Sequence, residues 1–437
     1  LRERDRDYAG DDRRRDRAEL RVGEREREPG PVAAAGGVDG GSSKICALVG
    51  EVGSNGDRRV VGVGLVPSRG LRKGVVINVE EATAALSASV QEAERTSGYK
   101  LERAYVSISG EHISSLNSQG VVGVSHRRSG ITVDDVERAL DAACAVSVPH
   151  DQEIIHVIPR GYVVDGQSGV QDPVGMYGFR LEVEAHLVTA SSTAIQNLLK
   201  CVRGAGLEVD EVVSAAIAAG DAVLDETERE MGVVLADVGA GTTDVAVFID
   251  GTVWHTVTLG IGGAYITRDI SIGLRLPPAI AEEVKVQHGH ALPEQVDSDE
   301  LFTISSFGDE VSRDVPRWQL ASIIEARAEE ILSMINKAIK RSGYDGLLPA
   351  GVVLAGGTAQ LAGMRMLGRQ VLGLPVRLGA PANLRGLVDS VDSPAHAVGA
   401  GLMAWGSTEQ ARPQLKSRPN PGGGSGFLRW LRAFLPG

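Results

Sequence analysis

The sequence predicts an α/β fold, and three observations carry that reading. Runs rich in β-formers alternate with stretches of helical spacing along most of the chain. One design, a strand ending in Asp, a Gly/Ser/Thr turn and a returning strand, occurs twice about 200 residues apart. A third apolar strand, Val352–Ala355, ends in Gly356-Gly357-Thr358.

Taken in order, residues 1–34 precede the first of these elements and read as disordered. Within the first thirty residues, ten Arg face ten Asp plus Glu with almost no large apolar side chain, so burial could not offset the entropy of ordering. Lys44–Val52 and Arg59–Val66 are β-rich runs joined by a Gly-Ser-Asn-Gly-Asp turn at 53–57. Glu80–Thr96 has helical spacing, with Ala84, Leu86 and Val90 along it. A strand-rich block from about 103 to 190 holds Tyr105–Ser109, Ile154–Ile158 and Leu181–Thr189. Within it Thr132 can cap a helix whose first turn carries Asp134 and Asp135, matched to the positive helix end.

Ala190–Arg203 and Val212–Leu224 read as helices. A second β-rich set follows: Gly232–Asp237, Asp244–Ile249, a turn at Asp250-Gly251, and Thr252–Leu259. Residues 274–343 read as helical at both ends around a polar middle, and Ala395–Ala404 as the last helix of the body. From 406 to 426 the chain turns to Pro, Gly and Ser, a flexible linker.

Composition narrows the function. Aromatics are only 4%, so the core must rest on Val, Leu, Ile and Ala. A net charge of −12 argues against a general nucleic-acid binder, which needs a basic surface. Cys46, Cys144 and Cys201 are odd in number and unclustered, which suits neither a disulfide framework nor a zinc site and fits a reducing cytosol. No apolar run approaches the roughly 20 residues of a spanning helix, and the N-terminal stretch lacks the apolar core of an export signal.

The repeated hairpin has a chemical rationale. In the first copy Asp39 precedes Gly41, Ser42, Ser43 and Lys44; in the second Asp237 precedes Gly239, Gly241, Thr242 and Thr243. Glycine lets backbone N–H groups close around phosphate oxygens, and hydroxyls add donors. Asp39 and Asp237, at strand ends, suit a magnesium ion held through water, because Mg²⁺ dehydrates reluctantly. One such turn is an ordinary Gly-rich hairpin; two, each behind an Asp, point to phosphate binding. Gly356, Gly357 and Thr358 would let a flat base or ribose approach the backbone.

This order of motifs resembles the actin, Hsp70 and sugar-kinase superfamily, and within it the FtsA family of bacterial cell-division proteins. The carrying residues are Lys44–Glu51, Asp172–Met176 with Arg180-Leu181, Asp237–Asp244, Gly262–Ile270, and Ile324–Arg327 before Glu329–Ile331. The resemblance implies an actin-like, ribonuclease H-like fold of two lobes, each with a five-stranded mixed sheet, and ATP with Mg²⁺ in the cleft. It implies a first-lobe core at 35–103 and 191–230, an inserted FtsA-type subdomain at 104–190, a second-lobe core at 231–273 and 344–405, and an upper subdomain at 274–343 that would contact adenosine and bind FtsZ. Glu325 and Arg327 are the adenosine-side candidates. Gly40 and Ala240 depart from the family pattern. Asp221 is the polar candidate where relatives that hydrolyse ATP briskly carry Gln or Glu, so at most slow hydrolysis is expected.

The last residues form an amphipathic segment at 427–435. Phe427, Leu428, Trp430, Leu431, Phe434 and Leu435 share one helical face, with Arg429 and Arg432 on the other. Such a face suits an anionic lipid surface; docking on the body, or on a partner that captures amphipathic helices, is the alternative. One short helix binds weakly, so polymerisation would multiply the attachment. Together these readings imply a scaffold that polymerises, tethers FtsZ to the cytoplasmic face of the membrane at the division site, and recruits later division proteins. The rivals are a pilus-assembly scaffold of the PilM type and a small-molecule kinase of the same superfamily.

Overall fold

The computed structural model describes residues 33–52, 58–125, 130–304 and 312–410. The expectations for residues 1–32, for 411–426 and for the amphipathic segment 427–435 lie outside the described residues.

The apolar run Ile45–Val49 is buried on both faces, which makes it part of a central strand. That strand, β2 (Lys44–Val52), lies between β1 (Ala33–Gly40) and β3 (Arg58–Pro67), antiparallel to both. A small hairpin, β4 (Leu71–Arg72) and β5 (Val75–Val76), leads into α1 (Val79–Ser97). Asn78 caps α1 by accepting the N–H groups of Glu80 and Glu81, and Gly98, with φ 75°, ends it. β6 (Arg103–Ile108) then runs parallel beside β1. Its sequence reading as the start of the insert at 104 is therefore corrected: pairing with β1 makes it a strand of the first sheet.

The insert comprises β7 (Ser114–Gly123), α2 (Val133–Cys144), β8 (Gln152–Val164), β9 (Gln167–Val170) and β10 (Arg180–Ser191). The strands form an antiparallel sheet ordered β7-β10-β8-β9, with α2 packed on it. Thr132 caps α2 as expected, in a reciprocal box with Asp135.

The chain returns through α3 (Ser192–Gly204), β11 (Glu208–Ser214), α4 (Ala215–Val223) and α5 (Glu226–Met231). β11 pairs parallel with β6, so the helix expected from Val212 begins only at Ala215. The β-branched residues Val209, Val212 and Val213 favour the extended edge over a helical turn.

The second lobe holds β12 (Val233–Val238), β13 (Thr243–Ile249) and β14 (Thr252–Leu259), followed by α6 (Gly263–Leu274). Above it stand α7 (Pro278–His288), the strand pair β15 (Leu301–Ile304) and β16 (Arg313–Pro316), and α8 (Arg317–Ser342). β17 (Val352–Ala355), α9 (Met364–Leu372) and β18 (Val376–Leu378) complete a five-stranded sheet, β14-β13-β12-β17-β18.

The C-terminal stretch of the body crosses back. β19 (Leu384–Gly386) pairs with β3, giving the first sheet six strands in the order β11-β6-β1-β2-β3-β19. α10 (Ala397–Gln410) packs on α4 and β1. Residues 384–405, grouped by sequence with the second lobe, thus belong with the first, and the helix runs past 406 where a linker was expected to begin. Two apolar cores result, one shared by the first lobe, the insert and one face of the second sheet, the other by the opposite face of that sheet and the upper part of the second lobe.

Candidate functional site

The two Gly/Ser/Thr turns meet at a cleft of about 750 Å³ lined from both lobes. The first turn, residues 40–43, follows Asp39 at the end of β1. Asp39 accepts a hydrogen bond from Ser107 Oγ at 2.7 Å, and the same hydroxyl accepts the Gly40 N–H at 3.2 Å. Ser42 Oγ accepts the Gly74 N–H at 3.2 Å. Lys44 opens β2 and lines the cleft, its Nζ lying 3.4 and 3.3 Å from Nδ1 and Nε2 of His396.

The second turn, residues 239–242, is closed by the Gly239 N–H donating to Thr242 O at 3.0 Å. Asp237, near the end of β12, is 8% exposed and lines the cleft. Opposite it on β13, Asp244 accepts from Thr258 Oγ1 at 2.6 Å, from Ser109 Oγ at 2.7 and 2.9 Å, and from Thr242 Oγ1 at 3.2 Å. Ser109 follows β6, so this bond ties the lobes together across the floor of the cleft.

Two glycines make the approach possible. A Cβ on Gly241 would stand 2.4 Å from Ser42 Oγ, so the two turns could not come together with any larger residue there. Gly356 has φ 85°, and a Cβ on it would lie 2.4 Å from Asp237 Oδ1. The loop it begins is held to the second turn by Thr358 Oγ1, which donates to Gly239 O at 2.9 Å. On the far wall α7 contributes Glu282 and Lys285; Lys285 Nζ donates to Glu282 Oε2 at 2.7 Å and to Thr267 Oγ1 at 2.9 Å.

Charge is unbalanced here. Burial raises the carboxyl pKa of Asp39, of Asp237 strongly, and of Asp244 to about 6; the other acids of the cleft push Asp237 further. Burial lowers the ammonium of Lys44 from its usual value, against the pull of Asp39 and Asp237. His396 is pushed down to about 4 by burial and by Lys44. Among the described residues no group of three or more His, Cys, Asp and Glu side chains is arranged to hold a metal ion directly.

Of the residues nominated from sequence, Asp39, Gly41, Ser42, Ser43, Lys44, Asp237, Gly239, Gly241, Thr242, Gly356, Gly357 and Thr358 all line this one cleft. Four do not. Thr243 is fully buried and donates to Ile261 O at 2.8 Å, because strand alternation turns it away from the face that carries Thr242 and Asp244. Arg327 is held by Asp269 at 2.6 Å and by Glu330, and Glu325 lies two residues before it on α8; neither lines the cleft. Asp221 pairs with Arg229 at 2.8 Å on the part of α4 beyond Ala215, the α4 residue that lines the cleft. Sequence reasoning missed Ser107 and Ser109, whose period-two spacing at the end of a strand places both hydroxyls on one face, and it missed His396.

Comparison with known proteins agrees with this architecture. Residues 234–401 match the family model described as cell division protein FtsA, and residues 110–189 match that of the SHS2 domain inserted in FtsA. The chain is similar to the cell division protein FtsA of Pseudomonas aeruginosa, 43% identical over 86% of this chain and 89% of that protein. Among solved structures it resembles a chain of the PilM-PilN type IV pilus biogenesis complex, with a TM-score of 0.62, 17% identity, and coverage of 86% and 99% of the two chains. It also resembles MreB5 of Spiroplasma citri bound to ADP, with a TM-score of 0.50, 13% identity, and coverage of 84% and 94%. At those identities the likeness is one of fold, an actin-like fold of two lobes carrying an insert.

Proposed function

This chain belongs to the FtsA family of cell-division proteins, and from that premise we propose that it is an ATP-controlled membrane scaffold. On this reading it binds ATP with Mg²⁺, assembles into actin-like filaments, and holds FtsZ polymers on the cytoplasmic face of the membrane at the division site, where later division proteins join. The observation that carries the nucleotide reading is the meeting of two Asp-led turns at one cleft.

The backbone N–H groups of the two turns, the hydroxyls of Ser42, Ser43 and Thr242, and the Lys44 ammonium are the donors for phosphate oxygens. Asp39, Asp237 and Asp244 gather at the cleft beside Lys44, an arrangement that suits a dication kept in its water shell. Asp39 and Asp237 are the residues to hold that ion through its water; when bound, it supplies neutralising charge to the phosphates. Gly356, Gly357 and Thr358, with Glu282 and Lys285 opposite, are the walls for the nucleoside. Asp221 is engaged by Arg229 and lies outside the cleft lining, which supports switching over rapid turnover. Bound nucleotide in the MreB5 relative by fold supports the same use of the cleft.

The membrane half of the reading rests on the aromatic and cationic faces at 427–435. Liposome co-pelleting with and without ATP and FtsZ tests the whole. Expected is ATP-enhanced pelleting that brings FtsZ down, lost on deleting 427–435 or on Trp430→Glu while ATP binding persists. Lipid binding by the deletion variant would overturn the anchor, and failure to recruit FtsZ would overturn the adaptor role.

A further inference from the structure

Lys44 carries its charge on a long stem with many rotamers, so its use at a phosphate depends on what holds the ammonium in place. His396 does so. Its ring nitrogens lie 3.4 and 3.3 Å from Lys44 Nζ, and Nδ1 lies 4.0 Å from Cys46 Sγ. The ring is half-buried behind the lysine, while its chain neighbours Pro394, Ala395 and Ala397 line the cleft itself.

The turn that carries His396 is itself fixed from the other lobe. The Gly356 N–H donates to Pro394 O at 2.9 Å, and the His396 N–H donates to Ser393 O at 3.0 Å. Thus the turn that carries the imidazole joins the first lobe's lysine to the second lobe's Gly-Gly-Thr loop. The nearby Cys46 thiol, pushed up to about 12, stays protonated and does not compete as an anion for the ammonium. A neutral imidazole has a ring nitrogen free to accept a hydrogen bond from the ammonium, whereas a cationic one would repel it.

We propose that His396 is a positioning residue that holds Lys44 Nζ on the path of the nucleotide's phosphates, its own placement set by the loop at Gly356. The proposal rests on the nucleotide reading of the cleft. The test is equilibrium binding of Mg·ATP to the full chain and to His396→Ala, His396→Phe, His396→Gln, Lys44→Met and the Lys44→Met/His396→Ala double variant, each checked by thermal unfolding. Expected is about tenfold weaker binding for His396→Ala and His396→Phe, near-recovery by His396→Gln, whose amide oxygen accepts a hydrogen bond, and no further loss when His396→Ala is added to Lys44→Met. A purely structural histidine would instead give additive losses, and additivity overturns the proposal. So does binding by His396→Phe equal to that of the unaltered protein, or failure of folded His396→Gln to recover. If His396→Ala does not fold, the Phe and Gln pair decides. Absence of Mg·ATP binding to the unaltered chain would remove the nucleotide reading first, a result distinct from all of these.

Discussion

The two Asp-led hairpins share one backbone plan and differ in what fills it. In register, Asp39 pairs with Cys46 and Asp237 with Asp244, so Lys44 of the first corresponds to Thr242 of the second. The first hairpin thereby offers a cation on a flexible stem and a thiol held neutral; Ser43 in its turn is exposed. The second offers no cation. Its acids are buried, its turn is closed on itself, and its hydroxyls are engaged: Thr243 with Ile261 O and Thr242 with Asp244. The repeat is one of backbone shape, and the chemistry is divided between the copies. One half carries Lys44 beside Asp39; the other carries a closed turn and two buried acids, Asp237 and Asp244.

Four substitutions probe that division, from the largest expected effect to the smallest. Asp237→Ala should weaken Mg²⁺-dependent ATP binding by about a hundredfold or more, since a buried acid with few substitutes is lost. The nucleotide-free protein should at the same time melt higher, because the cost of burying the Asp237 carboxyl, and then its repulsion with Asp244 and Asp39, is removed. Calorimetric titration and thermal unfolding read the two effects, and an unchanged affinity would remove Asp237 from the site.

Gly241→Ala should force the two turns apart, with about tenfold weaker ATP binding and a stability cost of about 1–3 kcal/mol from the Ser42 clash. A variant crystal structure with both turns unmoved would contradict this.

The pH profile isolates Asp244. A carboxyl at about 6 in the fold, against 3.8 as its reference, favours folding fully below pH 3.8 and loses that contribution as pH rises through 6. The unaltered protein without nucleotide should therefore lose stability between pH 4 and 7 relative to Asp244→Asn, by an amount on the order of 1–3 kcal/mol. Parallel denaturation profiles for the two would refute it. Thr243→Val should cost only about 1 kcal/mol, through the orphaned Ile261 carbonyl, and leave ATP affinity within about twofold. A large drop in affinity would restore Thr243 to the phosphate site.

Much of this was legible in the sequence because it is written locally. Asp, Gly and hydroxyl residues at fixed offsets define each turn, and a strand ending in Gly356-Gly357-Thr358 is a short-range signal. Both turns and the third loop line one cleft as those signals implied. What escaped depends on long-range pairing. Ser107 reaches Asp39 only because β6 lies parallel beside β1, and His396 reaches Lys44 only because the chain crosses back before α10. Arg327 shows the opposite case: a charge on an amphipathic helix pairs with its neighbours, here Asp269 and Glu330, as readily as with a ligand. Thr243 points away from the cleft, as period-two alternation from Thr242 and Asp244 already implies.

Two copies of one motif line a single cleft. Titrating ATP into the full-length chain with and without Mg²⁺ tests it most directly. One nucleotide per chain, bound strongly only with Mg²⁺, is the expected result. Two nucleotides per chain, or binding that ignores the metal, would contradict it.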